Sequence, residues 1–130
     1  PGAPTLIAQV LKISSAYSPP APEEFDSPMT WGVESNVIER FEAAGIPRSN
    51  IAFLRDTYNF EFPGAPSSFV DEFRNYYGPT MNAFDAATSN GRADDLQREL
   101  ENLFRSQNES RDASTTSIPA IFLRVTVTVI

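Results

Sequence analysis

The stretch Ser67–Thr88, SSFVDEFRNYYGPTMNAFDAAT, carries the densest helical pattern in the chain. Its apolar side chains recur at steps of three and four, which places them along one stripe of a helix. They are Phe69, Val70, Phe73, Tyr76, Tyr77, Met81, Phe84 and Ala87. Gly78 and Pro79 interrupt the stripe, because proline has no amide to donate and its ring clashes with the preceding turn. We therefore predict two helical pieces joined at a fixed bend.

Two other stretches have the pattern of β-strands. Residues 50–62 alternate aromatic with polar side chains, and residues 119–130 are rich in β-branched residues of high strand propensity. Helical periodicity also follows Thr5, precedes Gly45 and runs through residues 90–108. The fold class that we predict is α+β. Helices would pack on a small antiparallel sheet with strands near 50–62 and 119–130, and the kinked helical pair would be inserted between those strands.

The length and composition favour one domain over residues 1–130, since 41% hydrophobic residues can cover a core of ordinary size. Within it, residues 1–33 would form an N-terminal helix and a proline-rich linker. Residues 34–130 would form a helix-strand-helices-strand unit. A sheet of two strands leaves unpaired edges and is poorly stable by itself, so we expect a further strand or a second copy to complete it.

The charge and the missing residue types exclude several classes of function. A net charge of −7 with one lysine argues against nucleic acid or an anionic membrane as a partner. The chain has no cysteine and no histidine, which excludes thiolate catalysis, Ser-His-Asp triads and histidine metal centres. The acidic residues 94–101 lack the spacing of a calcium loop. We predict no catalytic residue, no metal site and a cytoplasmic location.

Several motifs occur in one order along the chain. SPMTWG at residues 27–32 is followed by FR at 73–74, YYGPT at 76–80, Phe84 and GR at 91–92. Together they resemble the C-terminal half of class I S-adenosylmethionine-dependent methyltransferases, which are Rossmann-like, of the small-molecule, methyltransferase type 11-like family. This resemblance implies that the two strands are the sixth and seventh of the family's sheet. It also implies that the chain is a fragment or a short standalone version of such an enzyme.

The chain departs from that family where the cofactor would bind. The family holds S-adenosylmethionine with a glycine-rich turn after its first strand and an acidic residue that ends the second. The six glycines here are isolated, so no Gly-x-Gly turn can bring backbone amides to a cofactor. We predict no cofactor-binding residue in this chain and no methyl transfer by the chain alone, with S-adenosylmethionine implied only for the full-length family.

In the related enzymes the helical insert helps to wall the pocket for the methyl acceptor. The residues that we select as candidates for this pocket are Met29, Trp31, Arg74, Tyr76, Tyr77 and Thr80. The competing interpretation for Tyr76 and Tyr77 is that they are amphipathic core residues with their hydroxyls at the surface. For Trp31, beside Gly32, the competing interpretation is a packing anchor for the linker.

Two functions from different classes remain open. The first is the substrate-side portion of a methyltransferase-like protein, whose partner would be an upstream methyltransferase core. The second is a non-catalytic module that binds a small apolar ligand or assembles as a homodimer, because aromatic residues concentrate around the bend and the sheet edges are incomplete. An independent hydrolase is disfavoured by the lack of histidine and cysteine.

Overall fold

A computed structural model describes residues 5–129. Five α-helices and two β-strands form in this part of the chain, and they are α1 (Leu6–Tyr17), α2 (Glu34–Ala43), β1 (Ile51–Phe62), α3 (Pro66–Tyr76), α4 (Gly78–Ser89), α5 (Ala93–Gln107) and β2 (Thr116–Val127). Short 3₁₀ turns occupy Pro28–Gly32 and Arg48–Asn50. The chain divides into two compact units, which we call the helical unit (residues 5–21 and 59–120) and the ribbon unit (residues 22–58 and 121–129).

The helical unit holds a continuous hydrophobic core. Helix α1 packs against α4 and α5, and α3 packs against α4 and α5. The core residues come from all four helices and from β2, and they are Leu6, Val10, Tyr17, Val70, Phe73, Ala83, Phe84, Ala87, Leu96, Leu100, Leu103, Phe104 and Ile118. The apolar stripe of each helix therefore faces the same interior, as its period of three and four residues predicts.

The bend between α3 and α4 falls at Tyr77, whose backbone is extended. Pro79 stands in the first turn of α4, where its missing amide leaves no helical hydrogen bond broken. The amide of Tyr77 still donates to the carbonyl of Phe73 at 2.9 Å, and the amide of Met81 donates to the carbonyl of Tyr77 at 2.9 Å. Tyr77 thus forms one backbone hydrogen bond with each helix, and the predicted pair of helical pieces is present.

Strands β1 and β2 form a two-stranded antiparallel sheet. At one end the amide of Thr128 donates to the carbonyl of Asn50 at 2.9 Å. Nearer the other end the hydroxyl of Ser117 donates to Oε1 of Glu61 at 2.8 Å. Both pairs follow one antiparallel register, so residues of equal parity in the two strands lie on the same face of the ribbon.

The ribbon unit contains α2, the two 3₁₀ turns and the ends of both strands. Helix α2 packs against both 3₁₀ turns. It ends at Ala43, and Gly45 shortly beyond takes a left-handed conformation with φ of 88°. Val37 and Ile51 are the buried apolar side chains among the described residues of this unit. Much less apolar surface is therefore covered in the ribbon unit than in the helical unit.

The α+β fold class is confirmed, and some boundaries differ from those expected. Strand β2 begins at Thr116 rather than at residue 119, because Thr116 is buried and its hydroxyl donates to the carbonyl of Gly64 at 2.9 Å. The strand ends at Val127, so the prediction that it continues through residues 128 and 129 is wrong, and the predicted last residue, 130, lies outside the described residues. The prediction of one domain, divided at residues 33 and 34, stays a prediction. Across residues 5–129, no helix combines the length and the apolar character needed to cross a membrane.

Candidate functional site

The two tyrosines at the bend have different surroundings. Tyr76 is 79% exposed, whereas Tyr77 is half-buried and meets the ring of Phe73 edge to face, with 5.3 Å between ring centroids. Burial raises the pKa of the Tyr77 hydroxyl above its ordinary value, since the charged phenolate would be poorly solvated there. Tyr77 therefore packs against Phe73 with a hydroxyl that is partly shielded from water, while Tyr76 is exposed to contact from outside the chain.

Arg74 and Thr80 also lie beside the bend. The guanidinium of Arg74 sits 4.2 Å from the ring centroid of Phe84, and its Nη1 donates to Oε1 of Gln97 at 3.3 Å. Thr80 is fully buried, and its hydroxyl has no hydrogen-bond partner among the described residues. A buried hydroxyl without a partner loses its hydration and gains nothing in return, so Thr80 is a polar position that the packing alone does not explain.

Met29 and Trp31 belong to the ribbon unit, where both are exposed. The guanidinium of Arg40 covers the Trp31 ring at 4.4 Å from its centroid. Nη2 of Arg40 donates to the hydroxyl of Thr30 at 2.8 Å, and that hydroxyl donates to the carbonyl of Ser27. This arrangement anchors the 3₁₀ turn on α2 and gives Trp31 a packing role beside the pocket role predicted for it.

The structure divides the six candidate residues between the two units. Arg74, Tyr76, Tyr77 and Thr80 are in the helical unit, and Met29 and Trp31 are in the ribbon unit. Three surface depressions of about 260 to 400 Å³ are found, and none of these three is lined by any of the six residues. The acceptor-pocket assignment of these residues stays a prediction.

The sequence predicts unpaired sheet edges without distinguishing them, and the structure distinguishes the outer edge of β2. The amide of Thr128 points toward β1, whereas Ser117 points its amide and carbonyl outward, to Oδ1 of Asn108 and the amide of Glu109. Backbone hydrogen-bonding groups alternate in direction along a strand. The amides and carbonyls of the odd-numbered residues of β2 therefore point away from β1. In the ribbon unit these residues are Ile121, Leu123, Val125 and Val127. We call these four the open edge.

The open edge lacks the protection that exposed strands usually carry. Its four residues are apolar and none is proline, and the charge of Arg124, which lies between Leu123 and Val125, is paired with Asp56. Pro119, which also faces outward, lies in the part of β2 that belongs to the helical unit. Unpaired amides and carbonyls on a flat apolar strand are a template for another strand. The open edge is therefore our candidate functional site.

The outer edge of β1 is different. Asn50 turns its carbonyl toward β2, so the amides and carbonyls of the odd-numbered residues of β1 point away from β2. One of them, Thr57, has its amide occupied by Oδ1 of Asp56 at 2.8 Å, and its neighbour Arg55 places a charge on the same edge. A local side-chain bond of this kind competes with pairing by another strand. Of the two edges, β2 is thus the one prepared to accept a partner.

One face of the ribbon is also exposed beside the open edge. Asp56 pairs with Arg124 across the strands at 2.7 Å, which places the even-numbered residues of both strands on that face. In the ribbon unit this face carries Leu54, Tyr58 and Phe122, all exposed. Arg124 also lies near the Phe122 ring, at 5.8 Å from its centroid. We call Leu54, Tyr58 and Phe122 the ribbon face.

Tyr17 is a titratable residue of the helical unit whose pKa is shifted by its surroundings. The Tyr17 hydroxyl donates to Oε2 of Glu99, and this bond is the main reason that the pKa of Tyr17 is raised; burial raises it further. Arg92 covers the ring of Tyr17 at 4.5 Å and opposes the increase. Residues 5–129 contain no group of three acidic side chains placed to hold a metal ion. The hydrogen bond between Tyr17 and Glu99 therefore joins α1 to α5 as a structural contact.

Sequence reasoning missed these features for identifiable reasons. The contact between Tyr17 and Glu99 joins residues 82 positions apart, so no local pattern could reveal it. Arg40 was not selected because a single arginine on an amphipathic helix has no distinctive spacing. The sequence does hold a signal for the open edge, because apolar and polar residues alternate from Leu123 to Val129. What was lacking was the direction of one backbone amide, which only the pairing with β1 supplies.

Comparison with known proteins finds no match to this chain among family models, curated proteins or solved structures.

Proposed function

We propose that this chain is the C-terminal, substrate-side portion of a class I methyltransferase-like protein and that the open edge of β2 pairs with a strand of the core. In this proposal the partner strand is the fifth of the methyltransferase sheet. The observation that carries the proposal is the asymmetry of the ribbon. Strand β2 presents four unprotected apolar residues, whereas β1 has its Thr57 amide occupied by Asp56.

The arrangement of elements supports the proposal. Two antiparallel strands are separated in sequence by a bent helical pair and a further helix, which is the order that the resemblance implies for the last two strands of that family. The ribbon face provides a second apolar surface on the same unit. Pairing at the open edge would give its backbone groups partners and would cover apolar surface that water now contacts.

In the completed protein this chain would contribute part of the acceptor pocket. We assign that role to Met29, Trp31, Arg74, Tyr76, Tyr77 and Thr80, and no catalytic role to any residue of this chain. A wall of this kind accelerates methyl transfer mainly by holding the acceptor in line with the methyl donor. The donor, S-adenosylmethionine, would be bound by the core.

The proposal is tested with a fusion protein. A small-molecule class I methyltransferase core is cut after its fifth strand, and this chain is joined to the cut end. We expect the cut core alone to be poorly folded, and the fusion to fold and bind S-adenosylmethionine in a calorimetric titration. A fusion that behaves like the cut core would contradict the proposal. So would binding of S-adenosylmethionine by the isolated chain, because the chain would then hold a cofactor site itself.

A proline substitution gives the fusion a matched control. Val125 faces its amide outward, so Val125→Pro removes an edge donor and leaves the hydrogen bonds between β1 and β2 in place. Thr126 faces its amide inward, so Thr126→Pro breaks the ribbon itself. We expect Val125→Pro to prevent completion of the fusion while the isolated chain keeps its fold. Thr126→Pro should destabilise both proteins.

A second candidate function is a homodimeric assembly module, and the distribution of exposed apolar side chains favours it. Among the described residues, nine of the eleven large exposed hydrophobic side chains belong to the ribbon unit. They are Phe25, Met29, Trp31, Val33, Leu54, Tyr58, Ile121, Phe122 and Val129. Apolar surface concentrated in this way marks interaction sites on many proteins.

Light scattering of the isolated chain separates the two candidates. If assembly is the function, the solution mass should reach that of a dimer at low concentration, and Val125→Pro should return it to that of a monomer. If core completion is the function, the isolated chain should remain largely monomeric at the same concentration. A stable dimer that Val125→Pro leaves intact would contradict the use of the open edge in either role.

A further inference from the structure

One of the three surface depressions lies in the helical unit and is lined by two arginines, on a chain whose net charge is −7. Its volume is about 360 Å³, and it is lined by Ala65, Pro66, Ser67, Arg105, Asn108, Ser110, Arg111 and Ala113. Two of these residues are arginines and none is acidic. We refer to it as the arginine cavity.

The two arginines differ in how their charge is compensated. Arg105 donates from Nη2 to Oε2 of Glu101 at 3.3 Å and from Nη1 to Oδ1 of Asn102 at 3.3 Å. Both partners are on α5, on the same helix as Arg105. Arg111 is exposed and has no ion-pair or hydrogen-bond partner within residues 5–129. Arg111 therefore supplies the uncompensated charge of the arginine cavity.

The carboxylate next to Arg111 is directed elsewhere. Oδ1 of Asp112 accepts from the amide of Ser114 at 2.8 Å and from its hydroxyl at 2.7 Å. These two hydrogen bonds hold the pKa of Asp112 below its ordinary value, because they stabilise the charged carboxylate. The negative charge of Asp112 is thus committed to Ser114 and does not form an ion pair with Arg111.

The loop that carries Arg111 is held by Asn108. Its Nδ2 donates to the carbonyl of Thr115 at 3.0 Å, and its Oδ1 accepts from the amides of Ser110 and Ser117 at 3.1 and 2.8 Å. A loop fixed in this way loses less conformational freedom when a ligand binds. The backbone that positions Arg111 at the cavity is therefore ordered before any ligand arrives.

From this geometry we propose that the arginine cavity binds the phosphate group of a small phosphorylated molecule. A guanidinium offers a planar fork of N–H donors that matches phosphate oxygens, and Arg111 has that fork free. Arg105 adds a second guanidinium, and Ser67 lines the same cavity. This site is independent of the open edge and of the function proposed for it.

The test is a titration of the ¹⁵N-labelled chain with inorganic phosphate, followed by amide chemical shifts at constant ionic strength. We expect saturable shifts confined to residues 65–67 and 105–113. The variant carrying Arg105→Gln and Arg111→Gln should bind phosphate at least about tenfold more weakly, since each lost charged hydrogen bond is worth on the order of tenfold or more in affinity. Both side chains are exposed, so this variant should keep its fold.

Arg98→Gln provides the matched control. Arg98 is an exposed arginine of α5 that pairs with Asp95 at 3.7 Å and does not line the arginine cavity. Phosphate affinity should be the same in Arg98→Gln as in the unmodified chain. Equal weakening in both variants, or shifts spread over all arginines, would overturn the proposal as diffuse charge attraction. Acetate that binds as tightly as phosphate would overturn the assignment to a phosphate group.

Discussion

Asp56 and Arg124 form an ion pair across the ribbon, with 2.7 Å between Oδ2 and Nη2. The other carboxylate oxygen of Asp56 accepts the outward amide of Thr57. The side chain of Asp56 therefore joins the two strands and also occupies an outward amide of β1. This double role explains why two strands of similar length present edges of different character.

We predict that Asp56→Ala opens the edge of β1 and that Arg124→Ala does not. Both substitutions remove the same half-exposed ion pair, so each should lower the free energy of unfolding by less than about 1 kcal/mol. Only Asp56→Ala frees the Thr57 amide. We expect greater self-association of Asp56→Ala in light scattering at high concentration. Equal association of the two variants would show that Asp56 does not protect this edge.

The core of the helical unit should depend strongly on Phe104. This side chain is fully buried and meets Phe69 and Phe73 edge to face, at centroid distances of 5.5 and 5.2 Å. Phe104→Ala should lower the free energy of unfolding by about 3 to 5 kcal/mol, because it removes apolar contacts and leaves a cavity. Urea unfolding measures this loss. Met81→Ala, at an exposed position of α4, is the control and should change stability by no more than about 0.5 kcal/mol.

The bond between Tyr17 and Glu99 should make stability depend on pH in the alkaline range. The pKa of Tyr17 is raised in the folded chain, so the unfolded chain releases this proton first, near the ordinary value of 10.0. The stabilisation is therefore complete below that pH and is lost as pH rises through the folded pKa. Tyr17→Phe should show a smaller loss of stability above pH 10. Identical alkaline slopes for Tyr17→Phe and the unmodified chain would argue against this bond.

Substitution of each tyrosine at the bend should distinguish a role in packing from a role in contact with a partner or ligand. Tyr76→Ala should change the free energy of unfolding by no more than about 0.5 kcal/mol, since its side chain is 79% exposed. Tyr77→Ala should cost about 1 to 3 kcal/mol, because the ring of Tyr77 packs against Phe73. In the methyltransferase fusion, Tyr76→Ala should lower turnover without changing stability. Unchanged turnover would remove Tyr76 from the acceptor pocket.

The helices and strands of this fold were largely predictable from periodicity. The apolar steps of three and four around Phe73 and Phe84 predict α3 and α4, and Gly78-Pro79 marks the bend to within a residue of Tyr77. The start of β2 was harder to predict, because Pro119 reads as a strand boundary. Pro119 is tolerated inside β2 because its backbone nitrogen points away from β1, where no hydrogen bond between the strands is required.

The functional surface was less predictable than the fold. Tyr76 could be selected from its place in a motif, but its exposure depends on how α3 packs, which no local pattern gives. The bond of Thr57 to Asp56 depends on which side of β1 faces β2. The open edge in turn depends on the direction in which Thr128 turns its amide. A one-residue slip of either strand would turn its other set of amides outward, so the assignment of the two edges requires the pairing of β1 with β2.

Amide hydrogen exchange can detect whether a strand of a methyltransferase-like core pairs with the open edge. In the isolated chain the amides of Ile121, Leu123, Val125 and Val127 should exchange rapidly, while the inward amides of β2 are protected by β1. In the fusion with the methyltransferase core, the same four amides should become protected. A folded fusion in which these four amides still exchange as fast as in the isolated chain would show that no core strand pairs with the open edge.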